Sequence, residues 1–337
     1  MPVSVDRERC LNDNYKRAAC RRCADACPEG CFDEKLVVDA GRCNDCGLCL
    51  AVCPVDAMKG ENFPRSPLDK VFADPAAPVA FACRRRADSP WPCLGFLDGR
   101  LLLALVLSGE AGGRRVAVDD AVCAACRPEV AARLAETLIE ANRLLLQAGK
   151  PTIVRGEAAG EWTAREKPIS RRAFFASLMG AAIDTVREVA AAGAGAEPLP
   201  RHKWFADHAD AAAFIGETPS PFFAALTIGG ACLACGLCIR ICPRRALPAE
   251  EHGSALDIYH HPARCTGCGL CAVHCPQQAL AVAAPGRPET YHVARRELPR
   301  CQSCGEIYQP VGSQPVCIEC LLKSKSRSIL EGDNTGG

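Results

Sequence analysis

The chain has no long apolar run. Its longest is the seven-residue stretch Leu101–Leu107. A membrane-crossing helix needs about 20, so direct insertion into a bilayer is not expected. Charge of one sign is missing too: 40 Lys and Arg stand against 39 Asp and Glu, a formal net charge of +1. With no basic stripe and no helix-turn-helix, a nucleic-acid partner is not expected. No apolar segment follows the opening residues MPVSVDRERC. No signal peptide is therefore visible, and a cytoplasmic location is expected. Nucleotide motifs are absent as well. Gly193-Ala-Gly195 lacks both the third glycine and the preceding strand of a dinucleotide fingerprint, and there is no P-loop. The residue three beyond each Cys-x3-Cys pair is not Cys, which excludes the triplet of radical S-adenosylmethionine enzymes.

What the chain has is cysteine, 25 in all. Cys232–Cys242 (CLACGLCIRIC) and Cys265–Cys275 (CTGCGLCAVHC) each read C-x2-C-x2-C-x3-C, followed by Pro243 and Pro276. This is the ligand run of bacterial two-cluster ferredoxins, in which the fourth Cys of one run ligates the cluster of the other. The resemblance implies one [4Fe–4S] centre on Cys232, Cys235, Cys238 and Cys275. It implies a second on Cys265, Cys268, Cys271 and Cys242.

The first fifty residues repeat the device. Cys43–Cys53 (CNDCGLCLAVC) with Pro54 is complete. Cys20-x2-Cys23-x3-Cys27-Pro28 supplies three ligands, but Arg17 stands where the first belongs. Cys10 and Cys31 are both available to replace it. Cys10 is favoured, because an insertion after the first ligand leaves the others in register. The expected sets are Cys43, Cys46, Cys49 with Cys27, and Cys10, Cys20, Cys23 with Cys53. A three-iron or absent cluster is the alternative for the second of these.

Cysteine arithmetic organises the remainder. Cys301-x2-Cys304 and Cys317-x2-Cys320 form a pair of knuckles, and Cys83, Cys93, Cys123 and Cys126 make another four. With two dicluster modules, these account for every Cys but one of the 25. A partition into fours points to metal ligation, not disulfides. Each thiolate-held [4Fe–4S] centre in its usual oxidised state carries about two negative charges, so a loaded protein is expected to be acidic. Arg21, Arg22, Arg42, Arg240, Arg244, Arg245 and Arg264 lie next to ligands. They either offset that charge or form an ordinary solvated face.

The expected fold class is α+β. Residues 1–62 form one dicluster ferredoxin-like module, and a Pro-rich stretch from Phe63 to Pro78 follows. In 63–150, Val79–Ala82 and Val116–Val118 read as strands, and Leu101–Leu107 as a strand or short helix. Cys123-Ala-Ala-Cys126 reads as a turn. Pro128 opens a helix to about Gln147 with apolar Val130, Leu134, Leu138 and Ile139, ended by Gly149. The order of Phe-Ala-Cys83, Pro-Cys93-Leu-Gly95, a Leu-rich segment with Gly109, Val-Ala-Val118, a Cys pair and a long Leu-rich helix resembles the delta iron–sulfur subunit of methyl-viologen-reducing hydrogenase. That resemblance covers about 75 residues. It implies a small α/β domain, an iron–sulfur cluster on Cys83, Cys93, Cys123 and Cys126, and docking to a flavin- or cluster-bearing partner. A zinc site or four buried thiols is the alternative.

Residues 151–228 read as a helical linker. Ser170-Arg-Arg-Ala-Phe-Phe175 looks like a twin-arginine export motif, but it lies mid-chain, and Asp184, Arg187 and Glu188 follow. It reads instead as the start of an amphipathic helix before an Ala/Gly-rich 191–196. Residues 229–298 form the second dicluster module, with His252, His260 and His261 in its insert read as solvated loop residues. Residues 299–322 form a zinc-ribbon-like element in which Cys301, Cys304, Cys317 and Cys320 hold structural Zn2+ or a single iron. Residues 323–337 are expected to be a disordered tail.

Four-thiolate shells leave no open iron for substrate, so no catalytic residue is assigned. The expected function is a relay of single electrons between a donor or acceptor protein and a catalytic oxidoreductase subunit. The complex would be of hydrogenase, formate dehydrogenase or heterodisulfide-reductase type in an anaerobic system. An iron–sulfur assembly or redox-sensing protein is the second reading.

Overall fold

The computed structural model describes residues 3–60, 65–83, 85, 89, 91–109, 112–156, 205, 218–310 and 314–324. They form two units, Met1–Arg9 with Arg21–Ala209, and Cys10–Cys20 with Asp210–Gly337. Helix and sheet are mixed in both. Trp162, the expected helix from Ser170 and the segment 191–196 lie outside the described residues, as does the tail beyond 324.

In the first unit, β1 (Ser4–Val5) pairs antiparallel with β2 (Met58–Lys59). Asp6 fastens this closure. Its carboxylate lies 2.6 Å from Lys59 Nζ, and that hydrogen bond holds its pKa below the ordinary range against the opposing effect of burial. Between the strands run α1 (Arg22–Asp25) and α2 (Leu48–Val52). Then α3 (Arg65–Ala73) leads to a parallel sheet of β3 (Val79–Ala82), β4 (Val116–Asp119) and β5 (Val154–Arg155), in that order. Its register matches Val79 with Val116, Phe81 with Val118, and Ala117 with Val154. Parallel neighbours need crossovers.

The first crossover carries α4 (Gly99–Leu107). Leu101–Leu107 is thus helical. Asp98 decides this locally, because its side chain accepts the N–H groups of Arg100 and Leu101 at 2.8 and 3.0 Å. Leu101 to Val106 are each 1% exposed or less. A helix apolar on every side belongs in a core. The sequence Cys123-Ala-Ala-Cys126 is a single helical turn, α5, and α6 (Pro128–Gln147) follows it. Val130, Leu134, Leu138, Leu144 and Leu145 of α6 are buried, but Ile139 is 68% exposed. One step past Leu138 turns a side chain about 100° off the buried stripe. Phe81, Trp91 and Phe96 complete the core, with ring centroids 4.5 Å (Phe81–Trp91) and 6.3 Å (Phe81–Phe96) apart.

In the second unit, β6 (Ala225–Ile228) precedes α7 (Leu237–Ile241). The insert 244–264 is a hairpin of β7 (Ala249–His252) and β8 (Ala255–His260) turning at Gly253, whose φ is 63°. After α8 (Leu270–Val273), β9 (Leu280–Ala283) returns antiparallel to β6. Then β10 (Tyr291–Glu297) lies beside β8 in a sheet ordered β10-β8-β7. Leu226, Leu247, Leu256, Ile258 and Leu298 pack as its core. His252 is exposed as expected, though it ends strand β7 and is not in a loop, and His260 on β8 is 0% exposed and bonds the Tyr291 hydroxyl at 3.2 Å through Nδ1. The insert is ordered by pairing with β10, which the run of ligand motifs does not foreshadow.

Candidate iron–sulfur and metal centres

Two backbone devices recur at the cysteine runs. In the C-x2-C-Gly loops, Asp45, Ala234 and Gly267 precede the second Cys with φ of 56°, 58° and 63°. Gly47, Gly236 and Gly269 follow it with φ of 82°, 67° and 79°. Left-handed residues on both sides of the second Cys tighten the loop, and glycine takes that conformation at no steric cost. The third Cys of each run then sits on a short helix, Cys49 on α2, Cys238 on α7 and Cys271 on α8.

The second device is the Cys-Pro turn. After Cys27, Cys53, Cys242 and Cys275, the residue three positions on (Gly30, Asp56, Arg245, Gln278) has φ between 49° and 56°. The N–H one further on then donates to the thiol. The distances are 3.4 Å from Cys31, 3.2 Å from Ala57, 3.3 Å from Ala246 and 3.3 Å from Ala279. Such bonds favour the anionic sulfur.

Three cavities follow. One is lined by Cys232, Cys235, Cys238 and Cys275. A second is lined by Cys242, Cys265, Cys268 and Cys271, with His260 in its wall. A third gathers Cys27, Cys43, Cys46 and Cys49, joined by Cys31. Their electrostatics share one pattern. Burial, then the neighbouring thiols, pushes Cys238 up to about 11 and Cys271 up to about 12. The same two causes raise Cys49. Thiols crowded this way resist ionisation until a cationic core is bound among them. Apolar walls, converging sulfurs and backbone donors aimed at those sulfurs fit a cluster.

Cys31 occupies the position that Ala57, Ala246 and Ala279 hold in the other turns. Burial and its hydrogen bond to Cys27 push its thiol up to about 12. Cys10 caps the short turn Leu11–Asn14. Cys10 and Cys20 fall in the second unit, while Cys23 and Cys53 fall in the first.

Burial pushes Cys123 up to about 12, with Cys83 and Cys93 the next causes, and Asp120 and Cys126 following. Beside them stands Arg127, which the sequence reading passed over. Its guanidinium donates to the Asn44 carbonyl and, at 3.5 Å, to that of Asp45. Burial lowers its pKa, but a hydrogen bond to Cys93 and the nearby Cys126 and Cys46 raise it further, so it stays a cation. Of the arginines expected near ligands, Arg240 bonds the Cys235 carbonyl at 2.6 Å and Gln309 at 3.1 Å, and Arg42 bonds the Glu29 carbonyl.

Cys301, Cys304, Cys317 and Cys320 bring their sulfurs within 4.8 Å of one another. The Cys304–Cys317 separation is 3.9 Å. A tetrahedral ion with Zn–S bonds of about 2.3 Å spaces its sulfurs about 3.8 Å apart, so the set fits a single metal ion. Cys301 is drawn down to about 6, first by the Cys317 N–H, which donates at 3.3 Å. Gly305, with φ of 77°, makes the tight turn after the second ligand.

Comparison with known proteins agrees with this geometry. Residues 231–279 match the family model described as a 4Fe-4S dicluster domain, and residues 36–59 match the 4Fe-4S binding domain. A ferredoxin of Rickettsia felis is 40% identical over 55 residues, 15% of this chain and 50% of the relative. The pyruvate synthase subunit PorD of Methanothermobacter marburgensis is 37% identical over 58 residues, 17% of this chain and 63% of the relative. Ferredoxin-1 of Caulobacter vibrioides is 48% identical over 55 residues, 15% of this chain and 49% of the relative. The chain thus spans about half to under two thirds of the length of these relatives. It carries two ferredoxin-type iron–sulfur domains and a C-terminal group of four cysteines, and the role these domains support is electron transfer.

Proposed function

We propose that the chain is a multi-cluster electron-transfer subunit that passes single electrons to or from a catalytic oxidoreductase partner. The observation that carries this reading is the gathering of cysteines around three separate cavities, four at each of two and five at the third. Four thiolates saturate a cluster, so what such a group supplies when bound is one-electron charge storage, not substrate binding. The cysteines hold and orient it, the apolar walls exclude water, and the Cys-Pro turns place N–H donors on the fourth sulfur. The proposed ligand sets of the three cavities are those expected from the sequence. Cys83, Cys93, Cys123 and Cys126 form a further iron–sulfur site in a domain like the hydrogenase delta subunit. The PorD likeness and that middle domain support work beside a catalytic partner in an anaerobic complex of hydrogenase, formate dehydrogenase or heterodisulfide-reductase type.

The test is iron, zinc and acid-labile sulfide per chain on protein purified without oxygen, with EPR after dithionite reduction. About sixteen or more irons with equal sulfide and one zinc are expected. Zinc without sulfide overturns the relay. Turnover then separates relay from sensor, because a relay supports electron flow between proteins without losing iron.

Zinc at the C-terminal set gives a separate expectation. Cys304→Ser removes about one zinc per chain and leaves sulfide unchanged. Because thiols must lose protons to bind, affinity for zinc falls as pH is lowered and recovers as it rises. Competition with a chromophoric chelator across pH 5.5–8 reads both effects; a flat profile excludes thiolate ligation.

A further inference from the structure

We propose that the thiol set Cys83, Cys93, Cys123 and Cys126 and the set Cys27, Cys43, Cys46 and Cys49 are adjacent stations of one electron path, joined where Cys46 packs on Cys93 and bridged by the Arg127 guanidinium, which sets the potential of both. The inference rests on the reading that each set holds an iron–sulfur cluster, and it adds their order and the residue that couples them.

The two sets come from different folds, one from a ferredoxin-type loop and one from the ends of β3 and α5. Their backbones nevertheless meet directly. A Cβ built on Gly95 falls 2.1 Å from the Cys46 carbonyl oxygen, and one on Gly47 falls 3.0 Å from the Phe96 nitrogen. No side chain separates the two loops there. Cys46, Leu48 and Val130 form a buried apolar cluster with Cys93 packed against it. Cys46 is 9% exposed and Val130 1%. A buried ligand of one set and a half-buried ligand of the other therefore share one apolar contact.

Arg127 sits on that contact. It donates to the carbonyls of Asn44 and Asp45, the two residues before Cys46, and it directly follows Cys126 of the other set. Its position is fixed by the chain: it lies between Cys126, the last residue of α5, and Pro128, the first of α6. A half-buried cation held beside both sets stabilises an added electron on either one. The transfer moves one electron and nothing else. The set that gives it is oxidised by one, the set that takes it is reduced by one, and no proton or ligand moves. In the laboratory, dithionite supplies the electron.

The experiment is a potentiometric EPR titration of the full, anaerobically loaded chain, wild type against Arg127→Gln and Arg127→Lys. In Arg127→Gln, two centres are expected to become harder to reduce together. At fixed solution potential, the reduced-to-oxidised ratio of each falls about tenfold, which is about 59 mV for a one-electron couple. The centres of residues 229–298 stay in place, and Arg127→Lys recovers part of the shift. The fully reduced wild type, which needs no variant to fold, shows signals of the same two centres broadened by mutual magnetic interaction. Full iron with no broadening, or a shift of one centre alone, overturns the bridge and leaves the cluster assignment standing. Unchanged iron in Cys83→Ser/Cys123→Ser overturns the middle cluster, and the bridge with it.

Discussion

Cys275→Ala is expected to empty or open the site built around Cys232, Cys235 and Cys238, forty residues earlier in the chain, and to spare the site of its own motif. The structure places Cys275 in the wall of the cavity those three line, while its motif-mates Cys265, Cys268 and Cys271 line another with Cys242. Loss of one thiolate exposes one iron to exchange. Iron should fall by about one to four atoms per chain, depending on whether a three-iron remnant survives. Mössbauer or EPR spectroscopy then finds one perturbed centre. The reciprocal Cys242→Ala perturbs the other. Damage confined to the Cys265–Cys271 set in Cys275→Ala would show that each motif serves its own cluster, and the crossed ligand sets would be wrong.

Gly95→Ala is the second large effect. The new methyl carbon falls 2.1 Å from the Cys46 carbonyl oxygen and 3.2 Å from its carbon. Both obstacles are backbone, so the loop carrying Cys46 must move. Overpacking of this kind costs about 1–3 kcal/mol, and for a unit of this size about 2–4 °C in Tm per kcal/mol. Because Cys46 is also a proposed ligand, loss of visible cluster absorbance should accompany the shift. Gly112→Ala is the matched control, since a Cβ there meets nothing within 4 Å. Calorimetry and absorbance on the loaded chain read both variants. Equal stability of the two would mean that the contact between the loops is loose.

The cysteine positions were legible in the sequence because ligand spacing is a local constraint. The C-x2-C-Gly loops have left-handed residues where the motif puts Gly47, Gly236 and Gly269. The ends of Pro128–Gln147 were legible for the same reason, through Pro128 and Gly149. What was not legible depends on partners distant in sequence. Leu101–Leu107 is apolar throughout, so periodicity alone does not separate strand from helix. Asp98, just outside the apolar stretch, settles it. His260 is buried on β8, where β10 pairs alongside and Tyr291 bonds its ring. Arg127 looked like one basic residue among forty, and only the meeting of Gly95 with Cys46 shows what it touches. Cys31 was read as a spare ligand. The structure gives it the place that Ala57, Ala246 and Ala279 take in the other Cys-Pro turns.

Those four turns carry an evolutionary consequence. The donor to each fourth sulfur is a main-chain N–H, which every residue except proline possesses. Mutation at that position can change the side chain from alanine to cysteine, as at Cys31, without touching the bond. The backbone share of cluster tuning is therefore buffered against sequence drift. Side chains beside the ligands are the part that mutation can remove, and Arg127 and Arg240, bonded to carbonyls of the ligand loops, are two of them.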